Sequence, residues 1–227
     1  TYPDELKKHI ENENTLETVK KTYSAIAKAI HGEYPVIFLA DTEVEIIRAV
    51  RIAEEFKLGI IITGGREAYK VIDLLTQKNI PVILNPSLPN APNRGGGRRG
   101  ADGDSIPDAL REEQYAQWLE RSQNAKLLSE SGLLFAIGGF DSPENTLNNL
   151  RNLIQQGLPK QKALQAITIN SAKMFGIEQE FGTIDEGKIA NLLITDGDIF
   201  DEKTKVVKTI IKGKVVYEVN NEKGGLK

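Results

Sequence analysis

The sequence predicts an α/β chain built on a parallel sheet, with a short all-β ending. Three observations carry that prediction. Four apolar runs of strand length, "VIFLA", "LGIIIT", "IPVILNP" and "GLLFAIGG", are separated by segments with helical spacing of apolar residues. From about Phe181 the period changes to short strands between acidic Gly turns. Hydrophobic residues make up 40% and charged residues 27% of 227, enough for a buried core.

The elements follow in order. Residues 1–30 read as charged helix, with Leu16, Val19, Tyr23, Ile26 and Ile30 three or four apart. "HGEYP" ends that helix, since Gly32 suits a left-handed cap and Pro35 cannot continue the ladder. "VIFLA" (Val36 to Ala40) is a continuous apolar run, expected of a parallel strand buried on both faces. "DTEVEIIRAVRIAEEF" is an amphipathic helix with Thr42 or Asp41 as N-cap and acids in its first turn.

The unit repeats through "LGIIIT", the turn and helix of "GGREAYKVIDLLTQK", and "IPVILNP". "GLLFAIGG" is the fourth strand, followed by helices around Glu144–Gln156 and Lys160–Met174. The strands are expected near Val36–Ala40, Gly59–Thr63, Pro81–Leu84 and Leu133–Gly138. Right-handed crossovers put the helix-leading loops at one end of the sheet. Between the third and fourth strands, "NAPNRGGGRRGADGDS" is Gly/Arg-rich and reads as a mobile loop. At the end, "VVKTIIKGKVVYEV" reads as a hairpin turning at Lys212–Gly213.

Composition excludes several function classes. Lys plus Arg number 29 against 32 Asp plus Glu, a net charge of −3, so nothing argues for nucleic acid or an anionic membrane. The absence of Cys excludes disulfides, thiolate metal sites and a cysteine nucleophile. No apolar run approaches the roughly 18 residues of a membrane span. The charged start "TYPDELKKHIENENTLE" is no signal peptide, and without an initiator Met the natural start is expected upstream. The expectation is a soluble protein, compatible with bacterial cytoplasm or periplasm.

One stretch is more specific: "GLPKQKALQAITINSAKMFGIEQEFGTIDEGKIANLLITDGDIF", from Gly157 to Phe200. Ala166, Thr168, Asn170 and Ala172 fit an Ala-Thr-x-Asn-x-Ala pattern. Gly182, Thr183, Ile184, Gly187, Lys188, Ala190, Asn191 and Leu192 fit Gly-(Ser/Thr)-(Ile/Leu)-x-x-Gly-Lys-x-Ala-(Asp/Asn)-Leu in order. With these motifs the chain resembles the C-terminal half of the amidohydrolase superfamily, its imidazolonepropionase-related branch above all, over roughly residues 33–218.

The resemblance implies the last four units of a (β/α)8 barrel over residues 1–178, a β-sandwich segment over 179–220 and a tail over 221–227. Within the sandwich segment, Gly187 allows a tight turn, Ala190 a close contact, and "NLLIT" adds a buried strand. Four strands of eight leave open edges, so the expected partner is the missing N-terminal barrel half or a second copy.

In function, the resemblance implies hydrolysis of carbon–nitrogen bonds other than peptide bonds, with a divalent metal (Zn, Fe or Mn) in intact members. Family ligands stand at the C-terminal strand ends. Here Leu39 occupies the His position of the fifth strand, and the sixth offers only Thr63, Gly64 and Gly65. The eighth-strand Asp slot falls on Phe140, with Asp141 one residue on as a candidate catalytic acid. A bulge at Gly138–Gly139 would bring Asp141 into place, and the bland alternative is a helix N-cap. The expectation is a chain with no metal site and no retained cofactor, inactive alone. The alternatives are a supporting domain or a small-anion-binding module.

The residues themselves offer one candidate binding site for a small-molecule anion. Asp41, Gly64, Gly65 and Arg66 sit where "VIFLAD" and "TGGREAYK" leave their strands, and a Gly pair before a helix can present N–H groups to an anion. A tight turn is the bland reading. "GGGRRG" reads as a solvated loop, His9 and His31 as helix-surface and helix-end residues, and Tyr115 with Trp118 as packing on one helical face.

Overall fold

The computed structural model describes residue 24 and residues 26–92, 107–138 and 143–219. The Gly/Arg-rich loop from residue 93, His9, Phe140 and Asp141 fall outside them, as does most of the predicted first helix. Residues 26–30 are helical, and Gly32 follows at φ +76°.

Continuous apolar runs become the parallel strands. They are β1 (Val36–Ala40), β2 (Ile60–Gly64), β3 (Val82–Leu84) and β4 (Phe135–Ile137). They pair in the order β1-β2-β3-β4, all parallel. Helix α1 (Glu43–Phe56) follows β1. A 3-10 turn (Ala68–Val71) and α2 (Ile72–Gln77) follow β2. After β3 come α3 (Asp108–Ser122) and α4 (Asn124–Glu130), and after β4 come α5 (Pro143–Gln155), α6 (Lys160–Ala166) and α7 (Ile169–Met174). Sequential parallel strands with a helical layer on one face are the arrangement of part of a (β/α)8 barrel.

Register sorts the side chains. Leu39, Thr63, Ile83 and Ala136 form one row across the four strands, and Ala40, Gly64, Leu84 and Ile137 the next. Successive residues point to opposite faces. Phe38, Ala40, Ile62, Val82 and Leu84 pack with Ile46, Val50, Leu75 and Leu128 of the helices into the main core. On the other face, Ile61 and Ala136 are buried against Met174 of α7, with Ile83 and Leu134 alongside.

Burial of β1 on both faces does not hold. Ile37 is 50% and Leu39 74% exposed. Met174 lies over β2 and β4, while the described residues leave β1 bare on that side. Apolarity on both faces of β1 is therefore not matched by a second covering layer among the described residues.

The single helix expected over Lys160–Met174 is broken at Ile167–Thr168. Thr168 takes φ −130°, ψ −97°, and its hydroxyl donates to the Leu164 carbonyl at 2.6 Å. Two residues on, Asn170 Nδ2 donates to the Phe135 carbonyl at 2.8 Å, tying α7 to β4. The Thr-x-Asn of the sequence motif is thus a helix break followed by an anchor. Gly182 has a similar packing reason: at φ +97°, a Cβ there would lie 2.8 Å from the Ile169 Cα.

The ending forms an antiparallel sheet of β5 (Leu192–Thr195), β6 (Val206–Ile211) and β7 (Lys214–Glu218). Lys212 (φ 49°) and Gly213 (φ 76°) turn the hairpin, as a two-residue turn with both central φ positive requires. Burial of "NLLIT" does not hold either: Leu193 and Ile194 are exposed, as are Val215, Val216 and Tyr217. Three strands without a second layer cannot bury both faces.

Candidate active-site rim

The C-terminal ends of β1 and β2 are where the fold places its βα turns, and the sequence-predicted site residues meet there. Thr42 caps α1: its side chain accepts from the Glu45 N–H, while Glu45 Oε2 accepts from the Asp41 and Thr42 N–H groups at 2.9 and 3.0 Å. This box settles the N-cap as Thr42 and fixes the backbone of Asp41. Those bonds, from Thr42 first, hold the Glu45 carboxyl below its usual range.

Asp41 turns its side chain across to β2. Arg66 Nη2 donates to Asp41 Oδ2 at 2.6 Å. That hydrogen bond, ahead of the charge attraction itself, raises the already high pKa of Arg66, so the guanidinium is a permanent cation. The other carboxylate oxygen, Oδ1, is buried without a hydrogen-bond partner. It lies against Gly64, where φ is +99° and a Cβ would stand 2.6 Å from it. Gly64 is therefore the residue that makes room for the carboxylate.

Asn124 clamps the same turn from α4. It is 3% exposed, and its Nδ2 donates to the carbonyls of Gly65 and Arg66 at 2.9 and 3.1 Å. Its Oδ1 accepts from the Tyr69 N–H at 3.0 Å. Three backbone donors of the turn are also engaged: Gly65 N–H goes to the Ala40 carbonyl, Glu67 N–H to that of Asp41, and Ala68 N–H to that of Gly65.

Glu67 joins three elements. Its Oε2 accepts from the Glu43 N–H at 3.0 Å, and its Oε1 faces Lys70 and Arg121, each at 3.4 Å. The Glu43 N–H contributes most to holding its carboxyl below the usual range, with Lys70 and Arg121 adding to it. Tyr69, whose hydroxyl reaches Glu120 at 3.4 Å, has its pKa raised by burial first and by Glu120 next. Trp118 donates its indole N–H to the Pro89 carbonyl at 2.8 Å, with the Tyr115 ring 5.7 Å away, so the aromatic pair packs the outer rim.

Sequence reasoning found Asp41, Gly64, Gly65 and Arg66, which the structure brings together. It missed Asn124 and Glu67. The Thr42-x-x-Glu45 capping box was there to be read, but Asn124 lies 55 residues from Tyr69 and carries no local signal. His31 lies in the turn before β1 begins and is exposed. Among the described residues no group of three or more His, Cys, Asp or Glu could hold a metal ion. At the strand ends, Leu39, Gly64 and Gly65 have no ligating atom on their side chains, and Asp41 is held by Arg66. No helix of the described residues is long and apolar enough to cross a membrane.

A four-stranded parallel sheet with an antiparallel sheet after it is the architecture of part of a β/α barrel with a small β appendage. The Amidohydrolase family profile matches residues 103–216, half of the chain, and the chain belongs to that family. It is 36% identical over 87 residues to an adenine deaminase of Mesorhizobium japonicum, covering 34% of this chain and 14% of that protein. To an adenine deaminase of Rubrobacter xylanophilus it is 28% identical over 125 residues, covering 48% and 20%. These relatives do not single out the imidazolonepropionase-related branch.

Among solved structures, an amidohydrolase from Thermotoga maritima superposes with a TM-score of 0.70 at 23% identity, over 96% of this chain and 51% of that one. Escherichia coli guanine deaminase superposes at 0.53 with 15% identity, over 91% and 52%. Both likenesses show the fold. The chain spans about half the length of these structures, and its matched segments span a fifth or less of the two adenine deaminases.

Proposed function

We propose that this chain is one half of a carbon–nitrogen hydrolase barrel, supplying wall and rim but not the metal ligands, and that it does not turn over substrate alone. The observation that carries the reading is the pair of strand ends. Leu39 and Thr63 stand side by side at the inner mouth, with Asp41 and Arg66 paired beyond them. A divalent metal in such a barrel generates the attacking hydroxide, and these side chains do not offer it a seat.

Relatives named for adenine and guanine deamination support a substrate with an amino group on an unsaturated ring carbon. Water would replace that group and ammonia would leave. The strip of Ile37 and Leu39, exposed on β1, supports completion of the barrel by a further part of the same fold, since this chain covers only 51% of the Thermotoga structure. Anion binding at Gly64, Gly65 and Arg66 has less support, because the Gly65, Glu67 and Ala68 N–H groups are already donated within the chain.

The test is ammonia release from adenine and guanine by the purified 227 residues with Zn²⁺, Mn²⁺ or Fe²⁺. No release above that of the free metal is expected. Sustained turnover by the chain alone would overturn the non-catalytic part of the reading.

A further inference from the structure

Granted that reading of the chain as a half barrel without its own metal ligands, we infer that the Asp41–Arg66 pair stands in for a metal ion as the tie between the ends of β1 and β2. A metal at a barrel mouth does two jobs: it supplies charge for chemistry, and it cross-links side chains from neighbouring strands. The second job persists here with other atoms. Asp41 leaves β1, Arg66 leaves β2, and their 2.6 Å contact spans the two strand ends.

The surroundings are built for that contact. Gly64 gives up its side chain so that the Asp41 carboxylate can lie against the β2 end. The Thr42–Glu45 box fixes the Asp41 backbone, and Asn124 fixes the carbonyls of Gly65 and Arg66. The backbones of both partners are thus fixed, and the pair bridges the two strand ends with the Asp41 carboxylate partly buried and the Arg66 guanidinium largely exposed.

The same geometry places a fixed positive charge at the mouth. The guanidinium charge engages the Asp41 carboxylate, Glu45 and Glu67 being bonded to backbone N–H groups, and it repels a divalent cation. Leu39 and Thr63 are register partners on strands ~4.8 Å apart, so imidazoles placed there would be neighbours. With Arg66 neutralised, Asp41 becomes free to add a third ligand.

The experiment is a Co²⁺ titration of the whole chain, read by visible absorption, with circular dichroism checking that each variant folds. The unaltered chain is expected to give no Co²⁺ spectrum. Leu39→His with Thr63→His is expected to bind Co²⁺, and adding Arg66→Gln to tighten that binding by about tenfold or more, as removal of a nearby like charge does. A stoichiometric Co²⁺ spectrum from the unaltered chain would overturn the inference, as would equal affinity with and without Arg66. If the triple variant does not fold, Arg66→Lys in the two-His background replaces it: it keeps the charge, loses the planar contact, and is expected to bind no more tightly than the two-His variant alone. Tighter binding by that variant counts against the inference. None of these readouts involves substrate, so failure of the hydrolase reading would appear in ammonia release and leave them unchanged.

Discussion

Leu39 at the end of β1 is the register partner of Thr63 on β2, and 74% of its surface is open on the face that a full barrel would enclose. A large aliphatic side chain left in water contributes little to the stability of the isolated chain. Replacing Ile37 and Leu39 by Thr and Gln is therefore expected to change stability by less than about 0.5 kcal/mol while reducing self-association. Leu128→Ala, in the fully buried helix-side core, is expected to cost about 2–5 kcal/mol. Urea unfolding and sedimentation of the variants check both statements. A large loss from the β1 pair would mean that its face is covered.

Gly64 is expected to be intolerant of any side chain. Gly64→Ala combines a positive φ with a Cβ pushed against Asp41 Oδ1, and about 1–3 kcal/mol of strain is expected. Gly59→Ala is the control, since nothing lies within 4 Å of its Cβ position and its φ is not positive. Equal urea midpoints for the two variants would contradict the packing of Asp41 against β2.

Asn124→Ala strips partners from the Tyr69 N–H and from two carbonyls. An unpaired buried group costs about 1–3 kcal/mol, and a loss of that size is expected. Hydrogen exchange should rise first at the Tyr69 amide. Unchanged protection there would remove Asn124 as the clamp of the turn.

Glu67 gives the rim a pH dependence of definite sign. Its carboxyl is held below the ordinary glutamate range by the Glu43 N–H first and by Lys70 and Arg121 after it. A depressed folded pKa stabilises the fold above the unfolded value and loses that contribution as pH falls through the folded value. Glu67→Gln is expected to cost about 1–2 kcal/mol at neutral pH and to lessen the fall in stability below about pH 4.5. Parallel pH–stability curves for the two proteins would contradict the assignment.

Much of this fold could be read from local pattern. Val36–Ala40 reads as a strand because five apolar residues in a row suit a parallel sheet, though it stands at the edge of the described one, and Lys212–Gly213 turns a hairpin because both residues take positive φ. The C-terminal ends of β1 and β2 could be located in the same way, and with them Asp41, Gly64, Gly65 and Arg66. What sits against those residues could not: the Asp41–Arg66 contact spans 25 positions, and Asn124 reaches back 59 to Gly65. Nor does apolarity say whether a covering layer belongs to the same residues, which is why β1 and "NLLIT" read as buried and are half bare. The break at Thr168 escaped notice because its cause is the anchoring of Asn170 on β4, a tertiary contact. Asp141 lies outside the described residues.

The central claim is that these residues form half of a barrel whose inner face at β1 needs a partner. Sedimentation of the isolated 227-residue chain across a concentration series, paired with its thermal melt, tests it most directly. The account predicts concentration-dependent association, or a weakly stable monomer with an early, shallow melt. A compact monomer with a cooperative melt above about 65 °C, at the top of the usual mesophile range, would contradict it.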